Sequence, residues 1–453
     1  MDFDLNAALN HSRASICASE AYPQPTASLP SPLKPPSGIL VDLPVKRPTT
    51  YYELPLELIA RIGDNVPVQD VKNFSTVDRR TYHAMQSRRR IYSYWQRASQ
   101  AVSLASVEKL LEEMDGTLSE PAQHIEPIEA LRQRLQALPE ADQVEAFKRL
   151  FMAADRIPKE GVQIQKAMTA MLSSFPDDEQ FELFDFVMAM AQKRRPDDEN
   201  VWPELADQLT CFPGGAPEYL EGYEALLAQL PYLGDARQAE IITVLSTMLC
   251  DFDEANGYPS TKTSELYAIL RERVLQLSPS HQGAPVGAMA AAVLALPETE
   301  QSIRYAEMRN LAMSLPDEQW GIALYRLPAG FTVLPLDRYA EEFQLLEFGL
   351  ERVPLAQRVQ AASGLLDRVF HMDDMLAKRV WQRALGLLDG TEEAKLFEFL
   401  NEIKAMGVTS SLREDNWRIA VDSIMSFMER NRFSEQACSR FIEILSSLKI
   451  YLY

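Results

Sequence analysis

Few residues in this chain are of a type and spacing that could do covalent chemistry. Cys211, in the stretch LTCFPGG, and Cys250 are the two thiols inside the long second part of the sequence. A thiol is a useful nucleophile only where a base or positive charge lowers its pKa, and no histidine lies near either in sequence. Both read as cysteines packed in helix cores. The four cysteines form no CxxC pair, which points to reduced thiols rather than a zinc ribbon or a disulfide framework. The five histidines never fall in HxxxH spacing, so no metal site is expected. GxSxG, HExxH, P-loop and GxGxxG patterns are absent, and Gly214-Gly215 beside Pro213 reads as a turn rather than a phosphate cradle. The expectation is a protein without catalytic residues, metal or cofactor.

The chain has 453 residues and a formal net charge of −20. That balance disfavours a general nucleic-acid binder, which needs a basic footprint, and charge-driven binding to anionic membranes. No apolar run reaches the roughly 18–20 residues that span a bilayer. The N-terminus lacks the basic and apolar regions of a secretory signal peptide. With 46% hydrophobic residues, most of the chain can bury a core.

The charge is unevenly spread. Residues 1–45 carry a net −2, residues 46–100 a net +5, and the remainder −23, an asymmetry that suggests different partners for different parts. Residues 1–50, with eight prolines and six serines, read as a disordered or extended leader. Residues 98–453 read as a helical repeat domain: from about residue 125 onward apolar residues recur at helical spacing, as in VEAFKRLFMAA (144–154), with almost no strand signal. Prolines mark a beat there, at 139, 158, 176, 196, 213 and 231, then 279, 297, 316, 335 and 354. Proline suits the first helical turn, so each proline predicts one helix and its turn. Two such units make a helical hairpin of about 37 residues, within the range of α-solenoid repeats. LPEADQ (138–143), FPDDEQ (175–180), LPETEQ (296–301) and LPDEQW (315–320) are near-copies: an apolar staple, a proline, acids suited to a helix N-terminus, and a glutamine. The beat fades over DFDEANGYPSTKTS (251–264), read as a longer loop. Beyond 354, breaks at Asp373, Gly390–Thr391 and Thr409–Ser411 continue it. Trp202, Trp320, Trp381 and Trp417 read as core.

Residues 51–97 hold the most informative stretch, YELPLELIARIGDNVPVQDVKNFSTVDRRTYHAM (52–85). Leu54-Pro55 starts a helix with Glu57 in its first turn and Leu58, Ile59 and Ile62 as a stripe. Val66-Pro67 closes it. Asp70 is placed to cap a short second helix that offers Val71 and Phe74, and Val77, Tyr82 and Met85 belong to a third. Three helices in about 40 residues make a very small core, which usually needs another surface. Arg88-Arg89-Arg90 reads as a solvated helix end.

This pattern resembles the F-box, at Leu54, Pro55, Glu57, Leu58, Ile59, Ile62, Val66, Pro67, Asp70, Val71, Phe74, Val77, Arg79 and Arg80. It departs from the family at Gly63, where an aliphatic is common, and at Thr81, where tryptophan is common. The resemblance covers under a tenth of the chain. It implies a non-catalytic substrate-recognition subunit that binds a Skp-type adaptor and, through it, a cullin–RING ubiquitin ligase. The adaptor-binding residues implied are Leu54, Pro55, Leu58, Ile59, Ile62, Val66, Val71, Phe74 and Val77. Skp-type adaptors are acidic by the same resemblance, so the local net +5 would speed association. The all-α repeat array, 98–453, would recruit an unknown protein substrate, and its negative charge suggests a basic partner surface. Together with the leader, the combination resembles F-box virulence effectors of plant-pathogenic bacteria, secreted by a type III system into the host cytoplasm or nucleus. A eukaryotic F-box protein with a helical-repeat tail is the alternative origin. A helical scaffold that recruits no ligase is the alternative function. The two functions differ in one expectation: a scaffold buries the apolar residues of 54–77 internally, whereas an adaptor subunit leaves them partly exposed.

Overall fold

In a computed structural model the described residues are 51, 54–194, 201–213, 216–405, 414–431, 433, 434 and 439. The leader, Pro196, Gly214-Gly215 and the break at Thr409–Ser411 lie outside them. Every regular element among the described residues is helical, which bears out the all-α expectation. The chain divides into two compact units that meet at 208/209, inside what the sequence reads as one array.

The described part of the unit ending at 208 begins with α1 (Leu56–Asp64), α2 (Val71–Ser75), α3 (Arg79–Ala84) and α4 (Gln86–Ala98). It continues with α5 (Leu104–Thr117), α6 (Ile125–Arg134), α7 (Glu140–Asp155), α8 (Glu160–Thr169), α9 (Asp177–Gln192) and α10 (Trp202–Leu209), whose last residue falls across the division. Helices pack on the helix two places on: α4 on α6, α5 on α7, α6 on α8 and α7 on α9. The N-terminal segment 51–97 is thus continuous with the helices that follow it.

The unit from 209 onward holds α11 (Pro217–Gln229), α12 (Asp235–Thr247), α13 (Ser260–Gln276), α14 (Gly283–Ala292) and α15 (Glu298–Ser314). After them come α16 (Asp317–Ala323), α17 (Tyr339–Glu347), α18 (Arg358–Leu366), α19 (Asp374–Gly386), α20 (Glu393–Ala405) and α21 (Glu414–Asn431). Here α12, α14, α16, α18 and α20 pack in one succession, and α17, α19 and α21 in another. Side chains and backbone bond across at nearly constant separation. Leu104 N–H reaches Asp142 Oδ2 (2.9 Å, 38 residues on), and Arg271 reaches Glu307 (3.0 Å, 36 residues). Gly283 N–H reaches Gln319 Oε1 (2.8 Å, 36 residues) and Arg352 reaches Asp317 (2.9 Å, 35 residues). The helical, repeat-like character is therefore present in the contacts as well as in the text.

Four prolines of the beat set α-helix starts, one position earlier than expected, while Pro231 and Pro279 lie in short 3-10 turns and Pro335 and Pro354 cap such turns. Pro139, Pro176, Pro297 and Pro316 occupy the N-cap, with ψ between 138° and 155°. A proline there forces its predecessor out of the helical region, and Leu138, Phe175, Leu296 and Leu315 are all extended and buried. The loop expected over 251–264 is shorter: Pro259 caps α13, which begins at Ser260. Phe252 anchors that loop, its ring 4.8 Å from Tyr223 and 5.1 Å from Tyr258. Asp373 caps α19 by accepting from Leu376 N–H at 2.9 Å, and Gly390 takes φ +73°. Trp202, Trp320 and Trp381 are buried as expected, while the Trp417 side chain is outside the described set.

The glutamines have a structural task that the sequence reading left open. Gln143, Gln180 and Gln301 each donate back to the carbonyl before the proline, on Leu138 (2.9 Å), Phe175 (2.6 Å) and Leu296 (2.8 Å). Gln238 repeats this without a proline, on Leu233 (2.7 Å), and Gln282 with its proline, Pro279, one residue later, on Leu277 (2.9 Å). These carbonyls end one helix and have no helical partner. In LPDEQW the glutamine comes one residue earlier, and Gln319 instead accepts from Gly283 in the previous hairpin. Replacing the buried Gln180 by leucine strands the Phe175 carbonyl. It is expected to cost about 1–2 kcal/mol in chemical denaturation, whereas Gln133→Leu, on an exposed position, is expected to be near neutral.

Candidate functional site

The surface of α1 carries two apolar stripes. Pro55, at its N-cap, precedes Leu58 and Ile62 at i+3 and i+7, and all three are exposed, Leu58 at 41% and Ile62 at 45%. Ile59 and Gly63 lie about 100° round the helix and are buried, Ile59 completely. One stripe fastens the helix to the protein, and the other faces solvent.

Beneath it is the small core. Val71, Thr81 and Met85 are buried with Ile59. Gly63 is the seat of Met85: a Cβ at 63 would stand 1.8 Å from the Met85 sulfur. The missing aliphatic at this position is therefore replaced by a side chain arriving from the end of α3. Thr81, smaller than the tryptophan common at its place, is held by hydrogen bonds instead. Its hydroxyl meets the Tyr51 hydroxyl and donates to Asp78 Oδ1 at 3.0 Å, and its N–H donates to the same oxygen at 2.7 Å. The Thr81 N–H holds the Asp78 carboxyl below the ordinary carboxylate range. Arg80 Nη2 donates to the Leu54 carbonyl at 2.5 Å, which fixes the entry to α1.

Of the nine residues expected to form the docking surface, Pro55, Leu58, Ile62 and Val77 are exposed. Leu54, Val66 and Phe74 are half-buried, and Ile59 and Val71 belong to the core beneath. Exposed Leu56 and Tyr82 add to the apolar surface. Leu56 stands at a position the family pattern leaves free, so only its own apolar character could have marked it.

Several local expectations need correction. Asp70 stands at the N-cap of α2, but its backbone is helical and its side chain makes no capping bond; the capping aspartate is Asp78, before α3. Val77 lies two residues ahead of α3, in the turn, and is 64% exposed. The arginine run is solvated only in part, at the exposed Arg90. Arg88 is half-buried, pairs with both oxygens of Glu126 on α6 (2.5 and 2.7 Å) and donates to the Val66 carbonyl at 2.8 Å. Arg89 stacks on the Tyr82 ring at 3.4 Å, and Arg90 reaches the Thr117 carbonyl at 3.3 Å. The exposed cations of this region include Arg61 on α1, Lys72 on α2, Arg79 on α3, and Arg90 and Arg97 on α4.

The thiols also depart from expectation: Cys211 and Cys250 are exposed rather than in helix cores. Partial burial of its sulfur and the Asp251 carboxylate raise the Cys250 thiol above its ordinary pKa, the opposite of nucleophile activation. Among the described residues no group of three or more His, Cys, Asp or Glu is placed to hold a metal ion, and no helix is long and apolar enough to cross a membrane. No protein-family model and no curated protein matches the chain.

Proposed function

We propose that this protein is an F-box-type adaptor subunit. In this reading residues 51–97 bind a Skp-type protein, which connects the chain to a cullin–RING ubiquitin ligase. Residues 98–453, read as α-solenoid hairpin repeats, present a target protein for modification. The observation that carries the reading is the solvent-facing stripe Pro55–Leu58–Ile62, next to a second stripe that is buried. A helix with no further partner has no use for both, whereas a helix that docks into a groove needs the outer one. The flanking Arg61, Lys72 and Arg79 suit an acidic partner and would act mainly on association rate. In the same reading the proline- and serine-rich leader and the combination of parts suit a type III secreted effector acting in a host cell.

Purified full-length protein and a plant Skp-type adaptor test this directly by titration calorimetry. Wild type is expected to bind, and Leu54→Ala/Pro55→Ala to bind at least about tenfold more weakly. Failure of folded wild type to bind would remove the ligase connection and favour the scaffold alternative.

A further inference from the structure

The unit from 209 onward has a feature that runs against the acidity of the chain. Between α17, α18, α19 and α21 lies an open cleft of about 740 Å³. Four guanidinium groups line it, from Arg358, Arg379, Arg383 and Arg430, against three carboxylates, from Glu347, Glu351 and Asp389. Two of the cations converge on one anion: Arg379 and Arg383 each take one oxygen of Glu347. The Glu347 side chain is 13% exposed, while those of Arg379 and Arg383 are 46% and 59% exposed. Burial alone would favour the neutral acid at Glu347, yet the bonds from the two arginines hold its carboxyl below the usual range. Arg430 reaches Asp389 at 3.3 Å. A guanidinium has five N–H donors in a planar fork, so a single carboxylate oxygen leaves most of each fork facing the cleft. Beside these cations stands Phe348, 73% exposed, with Leu350 and Leu387 also on the wall.

We infer that this cleft docks an acidic segment of a protein partner, whose carboxylates lie along Arg379, Arg383, Arg358 and Arg430 while an apolar side chain rests on Phe348. Charge complementarity selects this occupant. The cleft carries one more cation than anions, in a chain of net charge −20, and forked guanidiniums pair with carboxylates through two parallel bonds. Glu347 occupies the place that a partner's carboxylate would compete for. The net charge of −23 over residues 101–453 disfavours acidic chains over most of that part of the surface, and dependence on Arg379 and Arg383 separates docking here from association with the basic segment 46–100. The sequence-level expectation of a basic partner surface, taken from net charge alone, is reversed locally. Under the adaptor reading, on which this extension rests, the segment belongs to the protein presented to the ligase.

The test uses the full chain without any Skp-type protein, so its outcome is separate from that of adaptor binding. A fluorescein-labelled peptide of alternating glutamate and leucine is titrated by anisotropy, beside versions with lysine or serine in place of glutamate. The acidic peptide is expected to bind at least about tenfold more tightly than the serine peptide, and any binding of the lysine peptide, which the acidic remainder of the surface attracts, to be unchanged by loss of Arg379 and Arg383. Arg379→Glu/Arg383→Glu is expected to weaken the acidic peptide by roughly tenfold or more. Glu347→Gln frees both forks and is expected to tighten it by a few-fold. Thermal unfolding of each variant is recorded. If the double variant does not fold, Glu347→Gln and Arg430→Gln decide. Equal binding of the acidic and serine peptides by wild type overturns the inference. So does unchanged affinity in folded variants, or an arginine-dependent affinity for a single-stranded oligonucleotide that exceeds that for the peptide.

Discussion

Replacing Leu58 and Ile62 together by aspartate is expected to weaken capture of a Skp-type adaptor by about a hundredfold or more, and to leave thermal unfolding where it was. Buried apolar anchors dominate such interfaces, at about 2 kcal/mol or more each, and a carboxylate in the same groove adds a desolvation cost. In the free protein Leu58 and Ile62 are already 41% and 45% exposed, so charging them disturbs far less internal packing than charging a fully buried neighbour does. Ile59→Asp provides the contrast, because Ile59 is fully buried. It is expected to melt the small N-terminal core, seen as lost helical signal and early protease cleavage between 51 and 97. If the double variant still binds as wild type does, the outer stripe is not the docking surface and the adaptor reading loses its main support.

A second large effect is expected at Gly287. Helix α14 has the sequence GAPVGAMAAA and is buried over most of its length. Its glycines allow α16 to come close: a Cβ at Gly287 would stand 2.7 Å from the Ala323 carbonyl oxygen, and one at Gly283 would stand 2.4 Å from that of Gln319. Those atoms are backbone and cannot swing aside. Gly287→Val should therefore push α14 from α16 and destabilise the unit by about 3 kcal/mol, read as a lower denaturation midpoint. Gly386→Val is the matched control, since a Cβ there meets nothing within 4 Å. Its cost is expected to be limited to helix propensity, well under 1 kcal/mol in either direction. Equal stability of the two variants would contradict the close approach of α14 and α16.

What could be read in the sequence was whatever acts over a few residues. Proline restricts its own φ and its predecessor's ψ, so the beat at 139, 176, 297 and 316 located helix starts before any tertiary contact was known. The apolar residues before those prolines were also identifiable, because a large side chain at a forced bend has few places to go except inward. The stripe of Leu58, Ile59 and Ile62 was visible as helical spacing, although spacing alone could not separate the outward Leu58 from the inward Ile59. That distinction depends on Met85 and Val71 arriving beneath the helix.

Features that depend on a distant partner stayed hidden. Three consecutive arginines look solvated in one dimension, yet Arg88 finds Glu126 after 38 residues. Asp70 and Asp78 both precede helices, but only Asp78 has the extended backbone that lets its side chain turn back onto an N–H. The one-residue offset of Gln319 relative to Gln143, Gln180 and Gln301 decides whether the amide serves its own turn or the preceding hairpin. Net charge, an average over the whole chain, could not show that four arginines share one cleft.

The nearly constant reach of the bonds between hairpins has a mechanical consequence. Within each unit many of the bonds between hairpins join residues 35 to 38 apart, so a terminal hairpin is tied mainly to its neighbour. Tension applied at one end would be borne by that last junction while the rest stayed slack. Each junction that yields would release about 120 Å of extended chain, and the next would then take the load. Such a protein unravels stepwise under a modest, repeated pull instead of resisting until a single large rupture.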